Sequence, residues 1–94
     1  MTSSILATIK NCIRVGNFDL TRHAFDEMAE DELILLDVEK SVLSGKIVKV
    51  ESDDPNGPKY TIHGTGISPF QQVGSVGRFV SDDRYLIITV YAID

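Results

Sequence analysis

Tryptophan is absent from this 94-residue chain, while cysteine occurs once, histidine twice and proline three times. The single cysteine, Cys12, excludes an internal disulfide. No apolar run approaches the ~18 residues that a membrane-crossing helix needs. The opening Met1-Thr2-Ser3-Ser4-Ile5-Leu6 has neither the basic start nor the long apolar stretch of a secretory signal. These absences point to the cytoplasm. Two histidines also leave little material for a metal centre. His23, Asp26 and Glu27 fall on adjacent turns of one face but lack a second histidine, so no metal or other cofactor is expected.

Positive charge is scarce as well: nine Lys and Arg stand against fourteen Asp and Glu, a net charge of −5. The shortage is uneven. Residues 1–45 carry Lys10, Arg14, Arg22 and Lys40 against eight acids, whereas residues 46–94 carry Lys46, Lys49, Lys59, Arg78 and Arg84 against six. Nucleic-acid affinity comes largely from neutralising phosphates. The first half is therefore a poor RNA surface, and only the second can hold a basic patch.

What is present is ordinary globular material, 43% hydrophobic and 24% charged, in a length that suits one domain spanning 1–94 with one modest core. Ser3 or Ser4 can cap a first helix that runs to Val15. Ile5, Ile9, Cys12 and Ile13 form its apolar stripe and Gly16 its stop. In that stripe Cys12 reads as a small buried hydrophobe rather than a reactive thiol. Thr21 caps a second, short helix, where Leu20 and Phe25 are spaced for a hydrophobic staple and Ala24, Phe25 and Met28 for a buried face. A third helix is expected over 35–44, with Leu35, Val38, Val42 and Leu43 inward and Gly45 beyond its end.

From Lys46 the period changes from 3.6 to two. Strands are expected over 46–51, 59–63, 71–80 and 85–92. Ser52-Asp53-Asp54-Pro55-Asn56-Gly57-Pro58 turns between the first two, and Gly74 and Gly77 suggest a bulge. The fold class is α+β: helices on one face of a twisted antiparallel sheet of about four strands. Uninterrupted alternation places Leu86, Ile88 and Val90 toward the helices, with Tyr85, Ile87, Thr89 and Tyr91 away. Likewise Val48, Val50, Tyr60 and Ile62 face inward, and Lys49, Lys59, Thr61 and His63 outward.

The open face thereby gathers Lys49, Lys59, His63, Arg78, Thr89 and Tyr91. Metal-independent RNA cleavage asks for such a set: a base for the 2′-hydroxyl, an acid for the departing 5′-oxygen, and cations around the phosphorane. Of these, histidine is the residue type that exchanges protons near neutrality, and Tyr91 suits an acid or a stacking platform. The same inventory also suits an ordinary solvated sheet face. His23, in the first turn of its helix, reads as a scaffold residue that fixes the chain's entry.

Leu20-Thr21-Arg22-His23-Ala24-x-x-x-Met28, Asp37-Val38-x-x-x-Val42-Leu43-x-Gly45-x-Ile47-Val48, Tyr60-x-Ile62-x-Gly64 and Ile88-Thr89-Val90-Tyr91 follow one another in order. Over residues 18–92 this pattern resembles a family of short, largely uncharacterised bacterial proteins related to the RelE-like and MqsR-like toxins of toxin–antitoxin pairs. Residues 1–16 form a variable N-terminal helix outside it. The resemblance implies a RelE-like core, endoribonuclease activity on messenger RNA and a small antitoxin partner encoded nearby. It singles out His23, from Arg-His-Ala, and Tyr91, from Thr-Val-Tyr. The family usually places arginines around the helix after Arg-His-Ala, where this chain has Asp26, Glu27, Glu30 and Asp31. Either the RNA contacts are confined to the sheet face, or the fold has been kept for something else.

Two functions from different classes follow. In the first, a toxin-like ribonuclease uses His63 and Tyr91 as acid and base. Lys49, Lys59, Arg78 and Thr89 bind substrate, with His23 in support. In the second, a non-catalytic module docks a basic protein on Glu27, Glu30 and Asp31, part of a run of seven acids without a base between Asp26 and Glu39. A homodimer through an edge strand is a third expectation.

Overall fold

The computed structural model describes residues 4–93. Helix α1 (Ile5–Val15) starts where Ser4 Oγ accepts the Ala7 N–H at 3.1 Å. The other candidate cap, Ser3, lies outside the described residues. The helix ends at left-handed Gly16 (φ 80°), where the N–H groups of Gly16 and Asn17 close onto the carbonyls of Ile13 and Cys12. Ile9, Cys12 and Ile13 are buried, whereas Ile5 is 48% exposed, so the inward stripe begins one turn later than its spacing suggests.

Strand β1 (Phe18–Leu20) leads into α2 (Arg22–Glu30) through Thr21, whose hydroxyl caps Ala24 N–H at 3.1 Å. Ala24 and Met28, four residues apart, form the buried stripe. Phe25, rotated by about 100° from Ala24, is 51% exposed rather than buried. Its staple partner Leu20 packs against the core from β1 instead. Helix α3 (Leu35–Ser44) buries Val38, Ser41 and Val42, while Leu35, expected inward, is 40% exposed.

The remaining strands are β2 (Lys46–Glu51), β3 (Lys59–Thr65), β4 (Gln72–Ser81) and β5 (Arg84–Ile93). They form a five-stranded sheet in the order β1-β5-β4-β3-β2. Four strands are antiparallel as expected. The fifth, β1, pairs parallel with β5 through Phe18–Tyr85, Asp19–Leu86 and Leu20–Ile87. Three residues are too few for a sequence period, which is why β1 reads as a mere approach to α2.

Two bulges revise the predicted faces. On β5, Thr89 pairs with Val76 and Ile87 with Gly77, leaving Ile88 as the extra residue. Alternation therefore changes phase halfway. Tyr85 and Ile87 face the helices before the bulge and Val90 after it, each at most 1% exposed. Leu86 and Ile88, expected inward, are only half-buried, whereas Thr89 and Tyr91 keep the open face assigned to them. On β2 the extra residue is Val48, so Ile47 packs on the core while Val48 is 54% exposed. Val50 keeps its inward register opposite buried Tyr60 but, on the edge strand, is 51% exposed.

All three helices cover one side of the sheet, α3 across β3 and β4, α2 along β5, and α1 against α3 and β5. Between them Ile9, Val38, Val42, Ile62, Val73, Ile87 and Val90 are fully buried. Each such side chain stabilises the fold by about 1.5–3 kcal/mol. The architecture is α+β, with the other sheet face uncovered by helices. Among the described residues no helix is long and apolar enough to cross a membrane.

Candidate active site on the open sheet face

Cross-strand register arranges the open face in rows. One row runs Lys46–His63–Gly74–Tyr91 across β2, β3, β4 and β5. The next is Lys49–Thr61–Val76–Thr89, two residues or ~7 Å along the strands. Beyond it, near the β2–β3 turn, stand Glu51 paired with Lys59, and Arg78 paired with Leu86.

The first row holds the chemistry. Gly74 lies between His63 and Tyr91, and the Tyr91 ring crosses directly above it. A Cβ at position 74 would collide with ring carbons and the hydroxyl. The bare backbone lets the Tyr91 hydroxyl reach His63 Nε2 at 2.8 Å, with the rings edge-to-face at 84° and centroids 5.8 Å apart. Burial pushes the Tyr91 phenol above its ordinary value, so it keeps its proton at neutral pH and is a donor rather than a base. A neutral imidazole protonated on Nδ1 accepts that O–H, and an imidazolium donates back to the phenol oxygen. The pair is thus a ready path for one proton between an acid and a base.

Lys46, exposed and in register with His63, brings a cation to this row. It was not placed on the face from sequence because the Val48 bulge shifts the register by one residue. Gly74 also went unrecognised as part of the site. A glycine inside a strand marks a close approach of some other group. That His63 and Tyr91 flank it on the adjacent strands is not legible from spacing.

Other expected site residues fall elsewhere. Thr89 and Lys49 lie one row away. Lys59 and Arg78 sit four residues along their strands from His63 and Gly74, ~13 Å. Lys59 Nζ is engaged by Asp54 at 3.6 Å. The Asn56 N–H, then Lys59 and Arg78, hold the Asp54 carboxyl below its usual range, against some desolvation. Lys59 ties down the β2–β3 turn, Arg78 adds positive charge at the same end, and both are too far away to share a phosphate with His63. His23 meets Glu27 at the outer edge of β5 (Nε2–Oε1 3.3 Å), and among the described residues no hydrogen bond joins it to His63 or Tyr91.

The acidic docking surface is also reduced. Glu27 Oε1 accepts the Val90 N–H at 3.0 Å and Asp31 Oδ2 the Ala92 N–H at 2.8 Å. Both carboxylates complete the hydrogen bonding of β5 where β1 no longer covers it. Glu30 and Asp31 are both exposed, and Glu30 is the one of the three without such a bond to the strand. Among the described residues no cluster of three His, Cys, Asp or Glu is placed to hold a metal.

In comparisons with known proteins, no curated protein and no solved structure matches the chain. A family model does match: residues 20–92 fit the one described as "Domain of unknown function (DUF4258)". That span takes in both histidines, Gly74 and Tyr91 and leaves out α1, and on its strength the chain belongs to this family.

Proposed function

We propose that the protein is a toxin-like, metal-independent endoribonuclease of the bacterial cytoplasm, cleaving messenger RNA on its open sheet face. The observation that carries this reading is the 2.8 Å bond between the Tyr91 hydroxyl and His63 Nε2, half-buried across Gly74 on a face with an exposed lysine in register.

In the proposed reaction His63 is the neutral tautomer whose Nε2–H donates to the Tyr91 oxygen. Its Nδ1 takes the proton of a ribose 2′-hydroxyl, and the 2′-oxygen attacks the adjacent phosphorus. The bond from phosphorus to the 5′-oxygen breaks, and that oxygen leaves with the Tyr91 proton. The products are a 2′,3′-cyclic phosphate and a free 5′-hydroxyl. The imidazolium then reprotonates the phenolate along the existing hydrogen bond, restoring both groups. Lys46 supplies the positive charge that the phosphorane needs. A small antitoxin partner encoded nearby fits this reading, because an unrestrained ribonuclease arrests its own cell.

The test is expression of the full chain alone, and cleavage of RNA by purified protein at low salt with a chelator present. Growth arrest and fragments ending in 2′,3′-cyclic phosphate are expected. His63→Ala and Tyr91→Phe should each lower the cleavage rate by about 10²–10⁴-fold. Lys59→Ala, far from the pair, should lower it little. Absence of both toxicity and cleavage overturns the proposal.

A further inference from the structure

The β3–β4 loop displays an aromatic ring to solvent. Phe70 is 92% exposed, well beyond every other large hydrophobic side chain described, and Ile67 beside it is 46% exposed. A floppy loop would explain this, but the loop is pinned. Gly66 N–H donates to Gln71 O at 2.8 Å, Gln71 N–H to Ser68 O at 3.0 Å, and Phe70 N–H to Ser68 Oγ at 3.3 Å. On the helix side Asp37 Oδ1 accepts the Ile67 N–H at 2.9 Å. On the open side Gln72 Nε2 donates to Thr65 Oγ1 at 3.1 Å across the base of the hairpin. Burying the ring would take apolar surface out of water and stabilise the fold, and five hydrogen bonds hold it out instead.

Position and charge indicate what it meets. The loop closes the same end of the sheet as the His63–Tyr91 row, since Phe70 is four residues from Gly74, at most ~14 Å. Stacked nucleotides advance ~3.4 Å each, so one short strand reaches from one to the other. In a chain of net charge −5, residues 55–81 contain no acidic side chain at all, and this stretch includes the loop, His63, Lys59 and Arg78. The loop itself has no cation to hold an anionic lipid headgroup, whereas the adjacent His63–Tyr91 row brings Lys46 to the backbone of an RNA strand that continues from the ring. A single ring with one aliphatic neighbour is also narrow for a protein interface. We infer that Phe70 is the stacking platform for an unpaired base of single-stranded RNA threaded toward the His63–Tyr91 row, a substrate assignment that rests on the cleavage reading above.

Binding and cleavage are measured separately. Labelled oligouridine and a self-complementary RNA duplex are titrated into the full-length His63→Ala protein at low salt, with and without Phe70→Ala or Phe70→Trp. Loss of one stacked base should weaken oligouridine binding about 5- to 100-fold in Phe70→Ala, and Phe70→Trp should restore it. Duplex binding should be weaker and indifferent to Phe70. Equal single-strand affinity with and without the ring overturns the inference. So does a Phe70 effect confined to adsorption on phosphatidylcholine vesicles. If the unmodified protein cleaves RNA and Phe70→Ala does so with unchanged KM, the platform fails and the catalytic reading stands. If nothing is cleaved yet oligouridine binding depends on Phe70, catalysis fails and the platform stands.

Discussion

At the scale of single residues, Glu32 is the most informative exception. Helix α2 ends in a pattern that normally selects glycine: Glu32 N–H closes onto Ala29 O and Leu33 N–H onto Met28 O, with buried Leu33 against buried Met28. Glu32 occupies the left-handed position at φ 57°, where a side chain costs about 1–2 kcal/mol. Glu32→Gly relieves that strain but gains freedom in the unfolded chain. The net expectation is stabilisation by about 0.5–1 kcal/mol, read as a rise of about 2–8 °C in Tm. A Tm that falls would contradict it. This residue also shows where the sequence goes quiet. Gly16 and Thr21 announce their caps by residue type, whereas a glutamate in a left-handed turn announces nothing, and α2 has no visible stop. Gly74 is silent for another reason, because its role exists only once Tyr91 and His63 lie on either side of it.

At the scale of elements, the outer edge of β5 explains much that spacing alone did not. Its first half is covered by β1, fastened by Arg84 to Asp19 at 2.8 and 3.1 Å. At the Ile88 bulge Thr21 takes over, its N–H donating to Ile87 O and its hydroxyl to Ile88 O, both at 3.0 Å. Glu27 and Asp31 then serve the Val90 and Ala92 N–H groups. An acidic run that looks like a docking face is, for these two residues, the cover of a strand edge. Glu27→Ala should lower stability by about 1.5–3 kcal/mol, as for other bonds to a charged acceptor. It should also speed amide exchange at Val90 while leaving the β4-facing amides protected. Combined with Asp31→Ala it should promote self-association, seen as a concentration-dependent mass in solution. Unchanged exchange at Val90 would refute the capping role. For testing a basic partner, Glu30→Lys is accordingly the clean charge reversal. Helices α1–α3 and strands β2–β5 were legible from apolar runs bounded by turn and cap residues, whereas β1, three residues long, was not. The bulges were not, since one inserted residue leaves both halves of a strand individually regular. That single hidden insertion in β2 is what moved Lys46 into register with His63 and left Val48 in water.

At the scale of the whole molecule, acids concentrate along α2 and α3 while residues 55–81 carry none, and the core adds a response to alkali. Tyr85 is 1% exposed, its ring seated over Gly77 and edge-to-face with Phe79 at 5.4 Å. Burial, reinforced by Tyr60 and Cys12, pushes its phenol far above the ordinary value, and burial pushes Tyr91 upward too. In the unfolded chain both titrate near 10. Below that pH both states hold the protons and the full stability is present. Above it the folded state still binds protons that the unfolded state releases, so stability falls as pH rises toward the folded values. The slope approaches about 1.4 kcal/mol per pH unit for each phenol still protected. Against a total stability of about 5–15 kcal/mol, alkaline unfolding should be cooperative, with Tyr85 ionising only as the fold opens. Tyrosinate absorbance and circular dichroism should therefore change together above pH ~10. Tyr85→Phe should flatten the alkaline limb, whereas Tyr91→Phe, at the half-buried open face, should alter it less. A tyrosinate signal that completes while the circular dichroism remains native would show that the ring reaches water without unfolding, and that the layer between helices and sheet is looser than its packing implies.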